Sequence, residues 1–72
     1  MIVRSSLLRS LAEHTRAVVV AANGAPVDCA EATYDALSSA GLNPEECSPD
    51  LRATAWDAVE ACIYALGGEV HS

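Results

Sequence analysis

Residues 48–68, SPDLRATAWDAVEACIYALGG, constrain the fold more than any other stretch of the chain. Leu51, Ala55, Ala58, Val59, Cys62, Ile63 and Leu66 recur with a 3.6-residue period and make one apolar stripe. Ser48 has the side chain of an N-cap, and Pro49 suits a first turn, where its missing N–H is no loss. Asp50 in the same turn complements the helix dipole. Gly67 can take the left-handed conformation that ends a helix at no steric cost. Asp50, Asp57 and Glu60 fall on the opposite side. The stretch predicts a core helix with an acidic back, and its stripe needs other elements to pack against.

Two further helices are predicted upstream. The first opens near Ser5 or Ser6 and closes at Asn23 and Gly24. Its inner face is Leu7, Leu8, Leu11, Thr15, Val18, Val19 and Ala22, and Arg9, Glu13 and Arg16 lie on the other side. The run Val18, Val19, Val20 also suits a buried strand, because β-branched residues lose rotamer freedom in a helix. The unbroken helical period decides for helix. The second begins at Asp28, an N-cap with Glu31 three residues on, and runs to about Ala40, where Gly41 stops it. Its inner face is Cys29, Thr33, Ala36, Leu37 and Ala40. Between the second and third helices, Asn43-Pro44-Glu45-Glu46 has the cap, proline and acids of a single helical turn at about 44–47. The expected fold is all-α: one domain over residues 1–72, a compact bundle of three main helices, with a lead-in at 1–4 and a mobile tail at 68–72.

Composition limits how this bundle is stabilised. A chain of 72 residues buries about 60% of its unfolded surface, which supports on the order of 3–5 kcal/mol without a staple. It holds 14 alanines, one Trp, two Tyr and no Phe, so its helices approach closely but bury little area per residue. Self-association that hides more apolar surface, as in a homodimer, is one expected consequence. Three cysteines, Cys29, Cys47 and Cys62, cannot all pair within the chain, and none has C-x-x-C spacing. That usage suits free thiols in a reducing cytoplasm, and no structural metal or cofactor is expected. The Arg- and Ser-containing start raises the question of a targeting segment. Glu13, His14 and Arg16 interrupt the hydrophobic centre of a secretory signal, and no run approaches the length of a membrane span.

The net charge is −6 and is unevenly spread. Residues 1–26 set three arginines against one acid, a net of +2, while residues 27–72 set Arg52 against nine acids, a net of −8. Such a surface repels phosphate backbones, which disfavours direct nucleic-acid binding, and is steered toward basic surfaces. A helix-turn-helix reader fails on the same ground, since its recognition helix would offer Arg52 against Asp50, Asp57 and Glu60. No phosphate loop, metal-ligand spacing or nucleophile elbow is present, so an enzyme is not expected.

The candidate site is a set of partner-binding residues. Asp28, Glu31 and Asp35 share one side of the second helix, Asp57 and Glu60 one side of the third, and Glu45 and Glu46 lie between. Packed side by side and facing outward, these rows would present negative charge at spacings of the same order as successive phosphates. Tyr34 and Trp56, at the edges of their stripes, are the candidate apolar anchors, with core closure as the alternative role for Trp56. In profile the chain resembles small phage-encoded acidic inhibitors, anti-CRISPR proteins among them: short, acidic, self-contained and without catalytic motifs. The resemblance spans the whole chain and matches no family motif. It implies a non-catalytic inhibitor, or nucleic-acid mimic, whose target is a basic, nucleic-acid-binding protein. The competing reading is a small helical homo-oligomerising adaptor whose charges only keep it in solution.

Overall fold

Each predicted stripe folds as a helix, and capping chemistry sets most of the boundaries. A computed structural model describes residues 4–71. Helix α1 spans Arg4–Ala22, α2 Cys29–Ser39 and α3 Pro49–Ala65, with a 3-10 turn at Pro44–Glu46. The valine run is helical. Three consecutive positions sweep about 200° of a helix, so Val18 and Val19 are half-buried while Val20 is left exposed.

The caps form as the sequence implies. Asp28 Oδ1 accepts from the N–H groups of Ala30 at 3.0 Å and Glu31 at 3.2 Å, and Ser48 Oγ accepts from Leu51 N–H at 3.1 Å. Asn43 Oδ1 accepts from Glu45 N–H at 3.1 Å and so starts the short turn. Helices α2 and α3 end alike. Gly41 N–H donates to Ser38 O and Leu42 N–H to Leu37 O, as Gly67 N–H donates to Tyr64 O and Gly68 N–H to Ile63 O. These paired bonds use up carbonyls the last turn would otherwise leave unpaired, and they need the positive φ that Gly41 and Gly67 adopt.

The helices run up, down and up. Ser39 at the end of α2 approaches His14 of α1, and α1 and α3 lie parallel, with Leu7 near Leu51 at one end and Cys62 donating to Ala12 O further along. Leu11, Leu37 and Ile63, one from each helix, are the largest side chains in the middle of the core. Ala32, Ala36 and Ala55 are almost fully buried around them and let the backbones close up. Two polar side chains are buried as well, and Thr15 is satisfied within its own helix by donating to Leu11 O at 2.7 Å.

Three expectations change. The chain end is docked: Val70–His71 forms a strand, β2, pairing in parallel with β1 at Val27–Asp28, and Val27 N–H donates to Glu69 O at 2.8 Å. The sequence points to a mobile tail because it ends in two glycines and a polar run, whereas Val70 finds a hydrophobic seat beside the core. Arg4 belongs to α1, and residues 1–3 of the expected lead-in, with Ser72 of the tail, lie outside the described residues. On the stripes, Leu8 and Leu66 are exposed although each was assigned inward, and the core takes Ala32 instead. Leu66 is the C-cap of α3, where the chain turns away from the helical period.

Docking of the tail makes Gly68 a tight position. A Cβ there would stand 3.1 Å from Ile63 Cγ2, 3.2 Å from Ile63 O and 3.3 Å from Val19 Cγ1. Gly68→Ala is expected to lower the urea midpoint, although shedding a glycine ordinarily stabilises by restricting the unfolded chain. A free tail would instead leave the midpoint unchanged or raised.

Candidate partner-binding face

The two expected anchors come together. Tyr34 from α2 and Trp56 from α3 line one groove of about 390 Å3 between those helices, with Thr33 and Leu37 among its other lining residues. Ala30 and Ala53, one turn from Tyr34 and Trp56 respectively, leave the groove open, and Pro44 and Pro49 line it as well. Both aromatics present substantial surface to solvent: Trp56 is 39% and Tyr34 48% exposed. Trp56 is therefore not among the buried core residues.

The acids lie outside the lining of this groove. Glu31 and Asp35 sit on the flank of α2 that borders Val18 and Ala21 of α1. On α3, Glu60 lies one turn beyond Trp56 on the same face, and Asp57 is the residue after Trp56. Glu45 and Glu46 are exposed in the turn that follows Pro44, one of the lining residues. Glu31 and Asp35 thus lie toward α1, while Asp57 and Glu60 act on the Cys29 thiol together with Asp28 of the α2 cap. Asp28 is exposed too, but one of its carboxylate oxygens holds the α2 cap.

Arg52 is the groove's charged member. It stands four residues before Trp56, which on a helix means the same face. That spacing was legible, yet its meaning depends on α2 supplying the opposite wall.

Cys29 lies between the groove and the acids. The residue is 1% exposed, with its thiol 3.8 Å from Thr33 Oγ1 and 3.9 Å from Trp56 O. Burial pushes this thiol above its ordinary value, and Glu60, Asp28 and Asp57 push the same way, while the Thr33 hydrogen bond pulls it down. Cys47 and Cys62 are half-buried, and all three thiols are free. Among the described residues no group of three His, Cys, Asp or Glu is placed to hold a metal ion, and no helix is long and apolar enough to cross a membrane. No protein-family model, curated protein or solved structure matches the chain.

A thiol raised in the folded state holds its proton more tightly there than in the unfolded chain. Stability is therefore level below the ordinary thiol value of 9.0 and declines as pH rises through the raised one. Urea unfolding of wild type and Cys29→Ala across that range should show a downward slope that the variant lacks. In the folded protein at neutral pH, iodoacetamide should label Cys47 well before Cys29.

Proposed function

We propose that this protein is a non-catalytic binding protein that takes a basic protein partner on its α2–α3 face. The observation that supports this reading is the pairing of two exposed aromatics in one groove between two helices that both carry exposed acids. Tyr and Trp give large contact area at a small entropic cost, and such side chains dominate binding energy when they are enclosed at the centre of an interface. Asp57 and Glu60 on α3, and Glu31 and Asp35 on α2, supply negative charge around it, which steers encounter more than it holds the complex. Glu45 and Glu46 extend this negative border at the end marked by Pro44. Arg52, inside the groove, favours a partner whose inserted residue is apolar or hydrogen-bonding and whose cations lie around it.

A partner of this kind fits a nucleic-acid-binding effector, whose Arg and Lys side chains normally face phosphates. The protein would occupy that surface as an inhibitor or nucleic-acid mimic, in the manner of the phage-encoded acidic inhibitors it resembles in profile. Three free cysteines without paired spacing fit action in the cytoplasm.

A tagged pull-down from nuclease-treated host lysate, eluted with a salt gradient, tests the reading. One basic nucleic-acid-binding protein should elute as salt screens the acids. Trp56→Ala should weaken its capture at every salt concentration. Combined Glu31→Gln, Asp35→Asn, Asp57→Asn and Glu60→Gln should slow capture and flatten the salt dependence. Recovery of the bait alone, or capture indifferent to both variants, would overturn it.

A further inference from the structure

A second opening lies on the side of the molecule where α1 and α3 meet. It is an apolar groove of about 420 Å3 between the N-terminal halves of those helices. Leu7, Leu8 and Leu11 line it from α1, Leu51 from α3, and Leu42 from the connection after α2. Leu8 is 39% exposed. The inner face of α1 is wider than the bundle covers: Leu7 and Leu11 are buried, while Leu8 is left facing water.

The charges beside this groove differ from wall to wall. Asp50, in the first turn of α3, lines it. Arg9, exposed, follows Leu8 on the outer side of α1. One wall is therefore leucine backed by a cation, and the other is leucine backed by an anion. A surface of this kind is complementary to itself under a two-fold rotation, which sets the α1 wall of one molecule against the α3 wall of the other. Net charge agrees with such an arrangement. Residues 1–26 carry a net of +2 and residues 27–72 a net of −8, so setting α1 of one molecule against α3 of the other brings opposite net charges together. Glu31, Asp35, Asp57 and Glu60 lie outside the lining of this groove.

We propose that the leucine groove between α1 and α3 is a two-fold interface between two copies of this chain, with Leu8 of each inserted in the groove of the other and Arg9 of each opposite Asp50 of the other. This interface is separate from the α2–α3 face and does not depend on the function proposed for it. In the dimer, two aromatic grooves would be presented at once.

Sedimentation velocity of the full chain in reducing buffer, over a range of micromolar concentrations, tests the proposal. Wild type is expected at twice the 7.5 kDa monomer mass. Leu8→Asp, at a position already exposed, should be monomeric with an unchanged circular dichroism spectrum. Arg9→Asp alone and Asp50→Arg alone each create two like-charge contacts in a homodimer and should weaken association by about tenfold or more. Mixing those two variants re-forms both attractive contacts across a heterodimer and should restore the dimer. Restoration on mixing also shows that both variants fold. A wild type monomeric throughout, a dimer indifferent to Leu8→Asp, or a mixture that stays monomeric while each variant keeps a helical spectrum would overturn the proposal. Trp56→Ala should leave the dimer intact, and Leu8→Asp should leave partner capture measurable, so that the failure of either reading is told apart from that of the other.

Discussion

Close approach of three helices through small side chains is the constraint on which the rest of the structure depends. Ala32, Ala36 and Ala55 are almost fully buried, and the space they leave is filled by Leu11, Leu37 and Ile63. A core built this way is dense but narrow, since alanine contributes little area while bringing backbones together. The larger apolar side chains outnumber the places inside. Leu8, Val20, Tyr34, Trp56, Tyr64 and Leu66 are therefore exposed. Both grooves follow from this. Where α2 and α3 meet, alanines beside Tyr34 and Trp56 keep the aromatics from sealing the surface. Where α1 and α3 meet, Leu8 remains uncovered.

Termination matters as much as packing in a chain this short. Gly41 and Gly67 stop their helices with the same pair of backbone bonds, and each stop redirects the chain onto the core. After Gly41, Leu42 packs against the core and lines the leucine groove. After Gly67, Gly68 passes tightly beside Ile63 and Val19, and Val70 then pairs with Val27. The strand pair joins the chain end to the residue that caps α2, since Asp28 is both the last residue of β1 and the N-cap. Loosening the tail would thus be felt at the start of α2, where Cys29 is buried.

The acidic residues divide by duty. Asp28 holds a cap and Asp50 sits in the first turn of its helix, so both serve the fold. Asp57 and Glu60, together with Asp28, bear on the Cys29 thiol. Glu31, Asp35, Glu45 and Glu46 are exposed. A charge count of −6 treats these groups alike, whereas their positions make only some of them available to a partner.

The three helices, the extra turn at Pro44 and the caps at Asp28, Asn43 and Ser48 were legible in the sequence, because period and capping are local properties set within a few residues. The exposure of Glu31, Asp35 and Asp57 was legible for the same reason: charges opposite an apolar stripe face water. Tertiary structure alone decided the rest. It set Tyr34 and Trp56 in one groove with Arg52, left Leu8 and Leu66 outside, and paired the tail with Val27. Each of these depends on the rotation of one helix about its axis relative to its neighbours, or on a meeting of residues more than forty positions apart. A stripe says which side of a helix turns inward. It does not say which neighbour that side meets, and the flank on which a residue lies is settled only when the helices are packed.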